Sequence, residues 1–258
     1  MISVKIVLMT KIKNILVSQP PPDRENDPYL ELAKKYNLKI IFRKLFKIEG
    51  VPSRNLREDR VNLGDYTSII FTSKNAIDHY FRICCEMRFT VPDSLKYFCV
   101  SESVAFYLQK YVIYRKRKIF HGKQHFSELV ELMKKHKTES FLLPTSDILK
   151  PEIPKLLKEN KFNYKRLVFY KTIPQDLTDI DIKQFDMLVF FSPAGVNALL
   201  HNFPDFKQNK TVVATFGSTT CNAAKEAGFT IHVQAPTPKV PSMAMALEQY
   251  LEKASKCK

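Results

Sequence analysis

Short apolar runs recur along this chain, and most are followed by a stretch of helical period. The runs are Ile15-Leu16-Val17, Ser68 to Phe71, Tyr97 to Val100, Ser140 to Leu143, Met187 to Phe191, Thr211 to Thr215 and Thr230 to Val233. Pro28 to Tyr36 and Asn75 to Met87 place apolar residues at helical spacing between them. Buried strands of this length separated by helices call for parallel sheets, so the fold class expected is α/β. Two longer segments, 38–48 and 164–174, read as extended chain.

The pattern contains an internal echo. Ile70-Phe71-Thr72-Ser73-Lys74-Asn75-Ala76-Ile77 returns as Val189-Phe190-Phe191-Ser192-Pro193-Ala194-Gly195-Val196. Each copy is followed, at similar spacing, by a second hydroxyl-rich turn before a helix: Val100-Ser101-Glu102-Ser103 and Phe216-Gly217-Ser218-Thr219-Thr220. Two matched units in the same order predict two similar lobes. The division expected is discontinuous, with 1–40 plus 175–258 in one lobe and 49–163 in the other. Segments 41–48 and 164–174 then form a two-stranded β connector. A continuous division near residue 130 is the alternative. The discontinuous one is preferred because Ile15-Leu16-Val17 then completes the sheet containing Phe190.

Composition narrows the function. With 6 glycines the chain has little material for phosphate loops, and neither G-x-G-x-x-G nor a Walker motif can be written on it. Lysine and arginine total 41 against 26 acids, a net charge of +15, which favours an anionic partner. The densest run, Arg115-Lys116-Arg117-Lys118, precedes a short apolar-basic alternation and reads as a solvated strand edge. Nucleic acid is therefore not expected as a partner. Five cysteines (Cys84, Cys85, Cys99, Cys221 and Cys257) form no motif, as in a reduced cytoplasmic protein, and core packing is expected of Cys84 and Cys85. His121 and His125 lack a third ligand at metal-site spacing, so no metal is expected. The lysine-broken start does not read as a signal peptide, and no run is long enough to lead one to expect a membrane span.

In open parallel sheets, ligands bind beyond the carboxyl ends of the strands. Here those ends carry Ser18, Thr72, Ser73, Ser101, Ser103, Thr145, Ser146, Ser192, Gly217, Ser218, Thr219 and Thr220. Serine and threonine also cap helices, and capping accounts for any one of them taken singly. As a set, helix starts with hydroxyl donors around one cleft would suit a ligand with many acidic groups. No nucleophile motif or paired carboxylates accompany them. Tyr170, in Val168-Phe169-Tyr170-Lys171-Thr172, would present a phenol to such a cleft as a neutral proton donor.

The ordered series Ile15 to Pro20, Ile70 to Ser73, Val168 to Thr172, Phe190 to Pro193 and Phe216 to Thr220 resembles the uroporphyrinogen-III synthase family. Ala235-Pro236-Thr237-Pro238 and its helix close the series. The resemblance implies a bilobal fold with a two-stranded connector. It implies a lyase that needs no cofactor, closing the octacarboxylate hydroxymethylbilane to a ring while inverting the last pyrrole. Tyr170 falls on the tyrosine proposed as the acid for the departing hydroxyl, and the strand-end groups would bind acetates and propionates. Beside the resemblance, a cytoplasmic monomer is expected, with no membrane partner. A non-catalytic anion-binding protein on the same lobes is the alternative. The chain departs from the family pattern at Ser18-Gln19-Pro20, where Thr-Arg-Pro is common. It departs again at Ser101 and Val104, where a glycine and then Thr-Ala are common.

Overall fold

The computed structural model describes residues 12–22, 27–123 and 125–256. The chain runs through β1 (Asn14–Val17), α1 (Pro28–Tyr36), β2 (Lys39–Phe42), β3 (Phe46–Gly50), α2 (Ser53–Glu58), β4 (Ser68–Phe71) and α3 (Lys74–Glu86). Next come β5 (Lys96–Cys99), α4 (Glu102–Leu108), β6 (Ile119–His121), α5 (Phe126–Met133), β7 (Phe141–Ser146), α6 (Glu152–Glu159) and β8 (Tyr164–Pro174). It ends with β9 (Met187–Phe190), α7 (Pro193–Asn202), β10 (Val212–Phe216), α8 (Ser218–Glu226), β11 (Val233–Ala235) and α9 (Met243–Lys256). Two compact units divide these elements: Met1–Lys47 with Ile173–Lys258, and Ile48–Thr172. The chain leaves the first unit within β3 and returns to it within β8.

The first unit holds the sheet β11-β10-β9-β1-β2, parallel throughout. Its central strands are largely apolar because both faces are covered. Ile15, Val17, Met187 and Val189 pack on one side with Leu32 of α1 and Leu247 and Leu251 of α9. The residues between them, Leu16, Leu188 and Phe190, pack on the other side with Val196 and Leu199 of α7 and Ala224 of α8.

The second unit holds the sheet β3-β8-β7-β4-β5-β6. The same alternation divides its core. Ile69, Phe71, Tyr97 and Cys99 pack with Ile77, Tyr80 and Ile83 of α3. Ile70, Phe98, Phe141 and Leu143 pack with Leu129 and Val130 of α5 and Leu157 of α6. The two copies of the sequence echo occupy matching places, since β4–α3–β5–α4 and β9–α7–β10–α8 each pair their strands in parallel.

Several local expectations change. The extended segment over 38–48 is two strands, β2 and β3, because the chain leaves strand geometry at Arg43–Leu45 and buries Leu45 in the first unit's core. Cys84 is buried as expected, but Cys85 lies on the exposed side of α3. Cys257 lies outside the described residues. Arg115, Lys116 and Arg117 are exposed and lead into β6, an edge strand. Among the described residues no helix is long and apolar enough to cross a membrane, and no group of three or more His, Cys, Asp or Glu could hold a metal ion.

Candidate active site

In the second unit chain order reverses beside β4: β5 and β6 lie on one side, β7 and β8 on the other. Connections then leave the carboxyl ends of β4 and β7 towards opposite faces, opening a crevice between them. A cavity of about 270 Å3 lies there, lined among others by Thr72, Ser73, Ser146, Lys150 and Tyr170. Its apolar wall includes Val100, Phe126 and Ile153. The volume is below the about 300–1,000 Å3 of pockets that enclose a whole small ligand. It suits one ring of a larger molecule.

Tyr170 is buried in the wall of this cavity, with 6% of its surface exposed. Its hydroxyl lies 3.0 Å from the Ser73 Oγ, which also accepts a hydrogen bond from the Ala76 amide at 3.1 Å and so caps α3. Burial raises the phenol above its ordinary pKa; the Ser73 hydrogen bond opposes the shift and the Asp147 carboxylate adds to it. The phenol is therefore neutral at pH 7 and able to donate a proton. Its ring lies flat against His79 of α3, with centroids 4.8 Å apart and planes inclined by 16°. The Arg82 Nε donates to His79 Nδ1 at 3.2 Å.

The remaining strand-end residues separate by role. Thr145 is buried; its hydroxyl accepts from Arg166 Nε at 3.1 Å and donates to the Leu167 carbonyl, so it supports the wall. The Ser146 hydroxyl donates to the Ile148 carbonyl and shapes the loop after β7. Thr72 lines the cavity, and its side chain makes no hydrogen bond among the described residues. Ser101 precedes α4 without capping it, and its Oγ lies 3.1 Å from that of the exposed Ser103.

In the first unit the corresponding reversal falls between β1 and β9. The Ser18 Oγ accepts from the Phe191 amide at 3.2 Å and ties the two strand ends together. Ser192 caps α7, its Oγ accepting from the Gly195 amide at 3.2 Å. The start of α8 differs. Gly217 stands there at φ +85°, has no side chain to offer the first turn, and donates its own amide to the Ala235 carbonyl. Ser218 and Thr219 are exposed in that turn and Thr220 is buried. A helix start without a side-chain cap keeps amides for an anion. Thus the first-unit positions Ser18 and Ser192 are spent on structure, whereas the 217–219 turn is open.

Four contributors were missed in the sequence. His79 and Arg82 sit on the flank of α3, where helical spacing separates core from solvent but does not reveal a stacking partner on β8. Lys150 lines the cavity mouth, is exposed, and has no ion-pair partner among the described residues. One lysine among many gives no local signal. Arg166 holds the 145–147 turn through Thr145 and the carbonyls of Ser146 and Asp147.

Comparison with known proteins gives the family. Of the solved structures, a mutant uroporphyrinogen III synthase from the extremely thermophilic bacterium Thermus thermophilus is 14% identical. It aligns with a TM-score of 0.62 over 95% of this chain and 100% of its own. Uroporphyrinogen-III synthetase from Helicobacter pylori is 20% identical, with a TM-score of 0.58 over 94% and 100%. At such identities these likenesses establish the fold. No curated protein sequence matches the chain. The sequence model of the family described as uroporphyrinogen-III synthase HemD, however, matches residues 27–245. Matched over most of its length, the chain belongs to the uroporphyrinogen-III synthase family.

Proposed function

We propose that this family member is a lyase that closes hydroxymethylbilane to uroporphyrinogen III, inverting the last pyrrole, with Tyr170 as the proton donor. The observation that carries the reading is a buried, neutral phenol at the strand-order reversal of the second unit, hydrogen-bonded to a serine that is itself fixed as a helix cap. Ser73 accepts the Ala76 amide, so its own proton is available to the Tyr170 oxygen. In that arrangement the phenolic proton points to the cavity. It passes to the substrate's hydroxymethyl oxygen as the carbon–oxygen bond breaks and water leaves; the pyrrole nitrogen supplies the electron pair, giving an azafulvenium cation beside the phenolate, and the proton shed by the attacked pyrrole carbon on ring closure restores the phenol.

The intermediate is reactive by itself, so holding the chain of rings decides which carbon is attacked. Val100, Phe126 and Ile153 are suited to one pyrrole face, with Thr72 and Lys150 available to its acidic arms. Ser101 and Ser103 are assigned to further carboxylates. The positive charge of the chain draws in an octaanion. No metal or organic cofactor enters this scheme. The protein is read as a cytoplasmic monomer without nucleic-acid or membrane partners.

Single-turnover conversion of fresh hydroxymethylbilane by wild type and Tyr170→Phe tests the assignment. Slowed formation of the type III isomer with retained substrate binding is expected. An unchanged rate removes Tyr170 from the acid role.

A further inference from the structure

Arg82 is the best-connected side chain near Tyr170. It donates to the carbonyl of Val51 at 2.8 Å and to that of Phe169, the residue before Tyr170, at 3.2 Å. It pairs with Glu86 at 2.5 Å and donates through Nε to His79. Its guanidinium fills the space beside Gly50, where a Cβ would come within 2.7 Å of it. One cation thus joins the end of β3, the backbone of β8 and the face of α3 that carries His79.

The hydrogen bond to Nδ1 dictates the state of the imidazole. Nδ1 must be an acceptor, so the neutral ring carries its proton on Nε2. Stacked at 4.8 Å, that ring limits the phenol on one face while Ser73 holds its hydroxyl end. We propose that His79, kept neutral by Arg82, is a positioning residue for the Tyr170 hydroxyl, and that protonation of His79 sets the acid limb of turnover. The inference rests on the reading of Tyr170 as the acid.

Protonation would turn Nδ1 into a donor facing the donor Arg82, and would place two cations together. The groups that could compensate are engaged. Asp78 accepts from the hydroxyls of Tyr107 and Tyr111 and pairs with Lys110, and Glu86 is held by Arg82 and the Ser53 amide. From β8 the ring meets the neutral Tyr170, and Asp147 acts on that phenol. Burial, then Arg82, lower the His79 pKa against the opposing pull of Asp78 and Glu86. The clamp therefore holds at neutral pH and opens on acidification.

The test is the pH dependence of type III formation by the full-length protein, for wild type, His79→Phe, His79→Ala and Tyr170→Phe. His79→Phe keeps a flat ring without a titrating group, so whatever kcat it shows at pH 8 carries through the acid range and the acid limb disappears. His79→Ala removes the platform, and kcat falls about tenfold or more with KM little changed, as misplacement of a reacting group does. If His79→Phe keeps the wild-type acid limb, or His79→Ala keeps the wild-type kcat, the inference is overturned. Should His79→Ala fail to fold, the His79→Phe profile alone decides. An undiminished Tyr170→Phe defeats the acid reading itself. A crippled Tyr170→Phe beside indifferent His79 variants defeats only the clamp.

Discussion

The Ser73 Oγ joins two tasks, capping α3 through the Ala76 amide and meeting the Tyr170 hydroxyl at 3.0 Å. Helix start and candidate acid are therefore one piece of geometry: a shift of the cap is a shift of the phenol. Ordinary local capping chemistry has been placed where it also holds the hydroxyl of a buried tyrosine.

Ser73→Ala should accordingly cost both stability and rate. Loss of the cap alone is worth about 1 kcal/mol. Turnover should fall as well, because the phenol loses the partner that directs its proton. Ser73→Thr, which keeps both hydrogen bonds, should recover most of each; thermal melting and type III formation measure the two effects separately.

For Tyr170→Phe the expected loss in kcat is about 10²–10⁴-fold, the usual yield of general acid catalysis. Since burial raises the phenol above its ordinary value, wild type should show no alkaline limb from this group below pH about 10. A limb near pH 8 that vanishes in Tyr170→Phe would contradict the electrostatics described above.

Lys150→Gln should raise KM about two- to fivefold with kcat nearly unchanged, the scale of one exposed ion pair of about 0.2–1 kcal/mol. The difference between the two proteins should shrink as salt is added. Steady-state kinetics at low and high ionic strength check both statements.

Stability in acid should depend on Glu139. Burial favours its neutral form, but hydrogen bonds from Lys96, Thr67 and Ser68 outweigh this and lower its pKa. Lys96 lies 2.5 Å away and Ser68 3.2 Å. A lowered carboxylate contributes stability that is present above its unfolded value of about 4.3 and is lost as pH falls through the folded one. Glu139→Gln should therefore destabilise by about 1.5–3 kcal/mol at pH 7, the range for a hydrogen bond to a charged group. Urea unfolding should show that deficit narrowing at pH 3.5.

What the sequence reveals follows from the range of each interaction. Met187-Leu188-Val189-Phe190 declares a doubly covered strand because alternate residues must enter two different cores, and both are apolar. Ser73 and Ser192 declare helix starts because a cap acts within three residues. Thr145 looked equally available, yet its hydroxyl is absorbed by Arg166 on the neighbouring strand, a pairing that no local pattern encodes. His79 and Arg82 were hidden for the same reason. Their partners lie on β3 and β8, and only the assembled sheet brings those strands to α3. Likewise the break at Arg43–Leu45 became visible only through the core that Leu45 enters.

Fresh hydroxymethylbilane, incubated with a small amount of the full-length protein and followed by separation of the uroporphyrinogen isomers, tests the central claim. Rapid accumulation of the type III isomer, suppressed in Tyr170→Phe, is the expected result. Product consisting only of the type I isomer, formed at the rate seen without protein, would contradict it.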